Sequence, residues 1–446
     1  MLDRVDVHCV WISSAVRALL PENLPPHSIP GGEIPTDGVF CDNAMDVVYN
    51  IYPDKIPSRK KILEQADAAM KALNKVGVVG VHDAGVQRWG MEGLTWLNAM
   101  GLMTVRVNAM VECSTRNTFC GDEMHPYMGK SHSGMLSAYG VKIFADGALG
   151  SWGAALLEGY TDKPETEGTL LMNSSALEGV ITEWFNSGYQ ISTHCIGDRA
   201  NRIALNTYAN LLKDSEYNPP NAYRRLRIEH AQIIDPADQE LMRTLGIIPS
   251  IQPTHATSDS AYAEKRLGKE RLVKSAYRMK SLFEKGLKVV LGSDFPVESH
   301  DWRDGVYAAI MRKNPYSKED TEGAFYPGES ISVHQALEGF TKNVAYAAWA
   351  ERDSGDISVG KWADWVVLEY EGEEVGPRFW EEDWIKNGGD VRKLKVVQTW
   401  VAGRKVYDSA DEEEGIGGIA GGIRKFAEKG EGVMEWVQRV FKNSGI

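Results

Sequence analysis

The sequence predicts an α/β fold, a (β/α)8 barrel of the TIM type that lacks its first strand, with a small β-sandwich satellite formed by C-terminal strands. Three observations carry this expectation. Helical and strand-like segments alternate between residues 58 and 352, the pattern of βαβ units and a parallel sheet. Four of the strand-like segments are apolar runs that end on one ionisable side chain, Lys142, His194, His230 and Asp294. Strands buried on both faces read as continuous apolar runs, and barrel strands carry their chemistry at their C-terminal ends. Beyond residue 352 the texture turns to β, in GKWADWVVLEY and VVQTWVAGRKVYD.

Residues 1–57 read as an irregular, substrate-loop region ahead of the barrel. Its stretch PENLPPHSIPGGEIP is rich in proline and glycine and must be loop. The barrel is expected over 58–352. Ile62, Ala66, Ala69 and Leu73 sit at helical spacing in 60–75, and VGVVGVHDAG follows as a buried strand. Further helices are expected over 91–100, 176–187, 200–213, 237–245, 272–285 and 333–349. Strands fall at 103–111, 140–144, 189–194, 226–230, 247–252 and 288–292. This makes seven strands where a closed barrel needs eight. Residues 353–410 form the small β portion. An acidic run and a glycine-rich linker open 411–446, ahead of an amphipathic helix over 423–441. No strand feeds the linker glycines, so they are not a dinucleotide fingerprint.

At 446 residues the chain suits one large barrel and a satellite. A formal net charge of −13 argues against nucleic acid as a partner. The five cysteines are scattered, odd in number and never in a Cys-x-x-Cys pair. They read as neither a disulfide framework nor a zinc knuckle, and they suit a reducing compartment. The N-terminus MLDRVDVHCVW has no signal-peptide core, and no apolar run nears the ~20 residues of a membrane span. The expectation is a cytoplasmic protein with neither nucleic acid nor membrane as partner.

His194 and His230 end nearby strands, and neutral imidazole is the commonest metal ligand. Asp294 follows VVLGS, where a carboxylate can take both a metal and the proton of a water. Lys142 is unusual at the end of an apolar strand, since buried lysine needs a partner. It can pair with Asp146, hold substrate, or carry a carboxyl group as an anionic metal bridge. A single strand-end histidine is an ordinary core residue, and a single aspartate an ordinary helix cap. Four such residues in one order along successive strands are not. His255, after IQPT, reads as a substrate or outer contact, and Asp198 with Arg199 as a salt-bridged turn. His82 and Asp83 are adjacent, point to opposite faces of a strand and cannot share one ion. The Gly-x-Ser-x-Gly, His-Glu-x-x-His and P-loop signatures are absent.

These residues resemble the amidohydrolase superfamily, specifically the family 3 branch that includes N-substituted formamide deformylases. The resemblance rests on DVHCVWISSAV, PGGEI, GVVGVHDAGV, GVKIFADGALGSWGAALLE, STHCIGDRAN, RIEHAQI, SIQPTHATSD, LGSDFPVE and GDISVGKWADWVVLE. It implies a distorted barrel with a small β-sandwich, and metal-dependent hydrolysis of an amide-type C–N bond. By resemblance, His194 and His230 are ligands of a divalent metal, zinc above others. Lys142 is the lysine that carries a carboxyl group, and Asp294 is both ligand and general base. His255 and the loop holding His8 and Trp11 lie near the substrate pocket, with Asp146 beside them. Family members place a His-x-His pair on a first strand, and the ten histidines here include none. The chain is therefore expected to be N-terminally truncated, or to close the seam with another segment.

Two functions follow. The first is a metal-dependent amidohydrolase acting on a small amide-type substrate, for which Trp11, Trp89 and Trp152 suggest an apolar N-substituent. The second is a family member without catalysis that acts as a binding or regulatory protein, which the missing His-x-His favours. A metal-free isomerase or lyase based on Lys142 leaves the two strand-end histidines unexplained.

Overall fold

The computed structural model describes residues 1–25, 27–51, 57–317, 323–370, 384 and 388–413. The amphipathic helix expected over 423–441, and the linker before it from residue 414 on, lie outside the described residues.

A five-stranded antiparallel sheet opens the chain, with β1 (Leu2–Asp3), β2 (Cys9–Trp11), β3 (Ser28–Ile29), β4 (Gly32–Thr36) and β5 (Val39–Asp42) in the order β1-β2-β5-β4-β3. The expectation of loop here is corrected. Pro30 and Gly31 make the turn of a β3–β4 hairpin in which Ile29 faces Gly32, and Gly31 takes the left-handed φ of 76° that this turn requires. Pro30 falls at this turn and Pro35 at the irregularity of the β4–β5 ladder between Glu33 and Thr36, where a missing amide donor costs least.

The centre of the molecule is a curled parallel sheet. Its strands are β6 (Gly80–Val86), β7 (Arg106–Val111), β9 (Leu136–Phe144), β10 (Gln190–Cys195), β11 (Arg227–His230), β12 (Ile248–Ile251) and β13 (Val290–Leu291), with β8 (Gly129–Lys130) antiparallel to the start of β9. The parallel strands stand in that order, and β6 and β13 form its two ends without pairing to each other among the described residues. The intervening helices have the expected spacing, as in Arg59–Lys75, Ser174–Asn186 and Asp198–Leu212. The expected helix over 272–285 is instead two pieces, Ala263–Ser275 and Met279–Glu284.

One face of the sheet meets the helices. Val141, Ile143, Ile191, Cys195 and Ile228 pack there with Leu177, Ile181, Trp184 and Tyr208 in the main core. The other face is concave and polar. Register places Lys142 beside Ser192, His194 beside Glu229, Ser192 beside Arg227, and Glu229 beside Ser250. Arg227 is fully buried on this face. It forks onto Glu229 at 2.7 and 3.0 Å, reaches Ser250 Oγ at 3.2 Å, and meets His82 Nδ1 on distant β6 at 2.8 Å. Only a curled sheet lets one side chain span from β11 to β6.

A third sheet holds β14 (Trp365–Tyr370), β15 (Leu394–Val401) and β16 (Arg404–Asp408), all antiparallel. It docks at the N-terminal end of the parallel strands. Arg106 forks onto Asp364 at 2.6 and 2.9 Å and lies 3.7 Å from the Trp362 ring. Thr399 Oγ1 donates to the carbonyl of Asn74.

Four of the five cysteines are paired, as Cys9–Cys41 and Cys113–Cys120, and Cys195 is free and buried. This corrects the reading of an unpaired set and removes the cysteine argument for a reducing compartment. Cys9 and Cys41 face each other across β2 and β5, a proximity that a spacing of 32 residues does not announce.

Candidate metal centre

The strand ends come together by way of an irregularity. His194 projects to the concave face with Lys142 and Phe144, since Phe144 and His194 are register partners. His230 pairs with Cys195, which belongs to the helix-facing side. Alternation alone would turn His230 away. Instead His230 and Ala231 adopt left-handed φ values of 71° and 44°, and the His230 ring comes back to 4.3 Å from that of His194. Asp294 has a φ of 57° as well. Non-glycine residues in this region cost on the order of 1–3 kcal/mol each and gather at functional sites.

The N-terminal sheet supplies a third imidazole. His8 lies just before β2, and its ring is 5.5 Å from that of His194. Its Nδ1 is 2.8 Å from Asp42 Oδ1, and its carbonyl accepts from the Asp42 amide. Asp42 is buried against Gly147 and Gly153, where a Cβ at either glycine would come within 2.8 Å of the carboxylate. Asn43 donates to the carbonyl of Leu171 at 2.8 Å. These contacts seat the N-terminal sheet on the loop that follows β9.

Hydrogen bonds set the available nitrogens. Gln252 Oε1 takes the Nδ1 side of His230 at 2.9 Å, which leaves the Nε2 lone pair for a ligand. His194 Nε2 is 3.5 Å from Asp146 Oδ1 and, like His255 Nε2, is buried without a hydrogen-bond partner. Burial drives His194 well below the ordinary imidazole range, helped by the neighbouring His230 and Lys142. Burial and Lys142 do the same to His230. Both rings are therefore neutral at pH 7, the form that binds metal.

Lys142 is buried, its Nζ 4.9 Å from the Phe144 ring. Burial lowers its pKa against the opposing pull of Glu229, Asp294 and Glu112. Burial pushes Glu229 up, but Arg227 and Lys142 outweigh it and hold the carboxyl below its ordinary range. Glu229 thus lies on the floor of the site between Arg227, which it pairs with, and Lys142.

Asp146 stands differently from the sequence expectation. It is fully buried, and its carboxylate accepts from the amides of Ala155 at 2.9 Å, Ile196 at 3.0 Å and Gly197 at 2.7 Å. Burial raises its pKa to about 7 against those three donors. With its oxygens so occupied it is a scaffold residue behind His194, neither a partner for Lys142 nor open to substrate. The Asp198–Arg199 turn also differs, for Asp198 accepts from the Leu157 amide and Arg199 reaches Glu167. Trp11 ends β2 and is 64% exposed, so its ring is not part of the buried cluster. His255 lies closer to the cluster than expected, 3.9 Å from Asp294 Oδ2. Asp42, Gln252, Arg227 and Glu229 escaped sequence reasoning. For Glu229 the signal was present in RIEH, one step before the histidine.

Imidazole and carboxylate donors of this kind fit a first-row divalent ion. Among known proteins the chain is 34% identical over 268 residues to Protein LONG AFTER FAR-RED 3 of Arabidopsis thaliana, covering 60% of this chain and 42% of that one. It is 28% identical over 424 residues to the protein named "Putative amidohydrolase YtcJ" of Bacillus subtilis (strain 168), covering 92% and 74%. Among solved structures, an uncharacterized metal-dependent hydrolase from Pyrococcus furiosus superposes with a TM-score of 0.63 at 28% identity, covering 80% of this chain and 69% of that one. The amidohydrolase family profile matches residues 1–407. With that match over most of its length, the chain belongs to the amidohydrolase family, in its family 3 branch.

Proposed function

We propose that this chain is a metal-dependent amidohydrolase that cleaves a non-peptide C–N bond of an amide or formamide. The observation that supports it most is the convergence of Lys142, His194, His230 and Asp294 at one edge of the parallel sheet, with orphaned imidazole nitrogens on His194 and on neighbouring His255. His194, His230 and Asp294 would hold the metal, zinc by preference, with Lys142 as a carboxylated ligand. Burial keeps the Lys142 amine more readily neutral, the form that takes up carbon dioxide with release of one proton. When bound, the metal would polarise the substrate carbonyl and lower the pKa of water.

The chain's own residues supply the rest. Asp294 takes the proton of the attacking water and hands it to the leaving amine, which breaks the C–N bond. Gln252 holds His230 in place. His8 and Trp11 border the substrate, a small molecule whose N-substituent is apolar. The relative N-substituted formamide deformylase of Arthrobacter pascens, 24% identical over 392 residues, makes N-substituted formamides the first class to test.

The test is metal content of the purified protein, followed by a screen of N-substituted formamides and amides. About one ion per chain, lost in His194→Ala and His230→Ala, together with turnover, is the expected result. A second reading is a binding protein of the same fold without catalysis. A folded, metal-free, inactive sample would replace the first reading with that one.

A further inference from the structure

The short segment after β12 joins the cluster at two points. Gln252 grips His230 Nδ1, and three residues later His255 stacks its ring on that of His230, with centroids 5.9 Å apart and planes 11° from parallel. The ligand atoms of His230, His255 and Asp294 all lie within 4.8 Å of one another, close enough to hold one metal ion. His255 Nε2 is buried and has no hydrogen-bond partner. Its nearest acceptor, Asp294 Oδ2 at 3.9 Å, is beyond hydrogen-bond range. A buried imidazole nitrogen left unpaired is costly, and an unplaced ion is one of the standard reasons for such a group.

We propose that His255 is a metal ligand in this chain, completing a His230–His255–Asp294 set beside His194, rather than a contact to substrate. Two imidazoles and a carboxylate make the three-ligand set of a catalytic zinc site, which keeps a further position open. The segment that supplies His255 also orients His230, so one backbone turn fixes two donors. Its proline, Pro253, opens the helix Pro253–Ser258, and the His255 amide bonds back to the carbonyl of Gln252 at 3.1 Å. The residue spacing is thus set by covalent chain and helix turn, not by side-chain packing alone.

This inference rests on the metal-site reading above, and the experiment separates the two. Metal-stripped protein is titrated with cobalt(II) chloride, followed by its visible absorption, and zinc affinity is measured by competition with a chromophoric chelator. His230→Asn, His255→Asn and His255→Gln are compared with the native chain, with circular dichroism as the check on folding. The expected result is that both His255 variants change the cobalt spectrum and lose more zinc affinity than the about tenfold to hundredfold that loss of an outer hydrogen-bond partner costs. Loss in His230→Asn with an unchanged His255→Asn would overturn the proposal and leave the metal site standing. No cobalt binding by the native chain would overturn both. Should the His255 variants fail to fold, an anomalous difference map of the zinc-loaded native protein decides. His255 Nε2 at about 2.0–2.1 Å from the ion supports the proposal, and a longer separation without a bond ends it.

Discussion

Arg227 joins three strands through one guanidinium, and no water-exposed surface shares its charge. Its neighbour Glu229 is equally enclosed, so the pair stands or falls together. Replacing Arg227 by Met leaves the buried Glu229 carboxylate without the guanidinium that forks onto it. Breaking a buried ion pair from one side costs about 3–5 kcal/mol. Urea unfolding of Arg227→Met is expected to show a loss of that order, and the double variant Arg227→Met/Glu229→Gln is expected to regain much of it. A double variant no more stable than the single would mean that the arginine acts through packing alone. The sequence contains RIEH in plain view, yet it says nothing of this pairing. The fork onto Glu229 is local, but the reach to His82 spans 145 positions and depends on the curl of the sheet.

Among elements, the N-terminal sheet changes most between expectation and structure. Its strands are two to five residues long and interrupted by proline and glycine, so no periodicity survives in the sequence. What holds it is cross-linking and docking, through the Cys9–Cys41 disulfide and the Asp42 and Asn43 contacts to the loop after β9. The pairing makes a direct prediction. Alkylation of the protein unfolded without reductant is expected to label one cysteine per chain, Cys195, and after reduction all five. Mass spectrometry reads the difference, and labelling of Cys9 or Cys41 before reduction would contradict the sheet as described. Longer elements were legible. Helix Asp198–Leu212 and strand Gln190–Cys195 fall within a few residues of where apolar spacing puts them, because burial imposes that spacing directly.

Across the whole molecule the parallel sheet is protected unevenly. Every residue of β10 is buried, whereas β6 is mostly half-buried or exposed and ends the sheet. Beside β6 runs a groove of about 410 Å³ lined by Ile62, Ala66, Asp83, Val86, Leu94 and Leu97. Amides at such an edge open with less free energy than those at the centre. Hydrogen exchange is therefore expected to proceed outward-in, with β6 amides exchanging well before those of β10 and β11. Equal protection of β6 and β10 would mean that the edge is covered in solution.

The sequence by itself determined the α/β alternation, the places of Lys142, His194, His230 and Asp294 in or just after parallel strands, and the family they point to. Each of these is written in a short stretch, where a side chain's polarity must match its own strand or helix. Tertiary structure alone decided the disulfides, the sequestering of Asp146 behind His194, the turn that brings His230 back to the concave face, and the approach of His255 to Asp294. Those features depend on where distant segments meet in the curled sheet. The local pattern of apolar and polar residues constrains which face a strand buries, but not which remote group comes to lie against it.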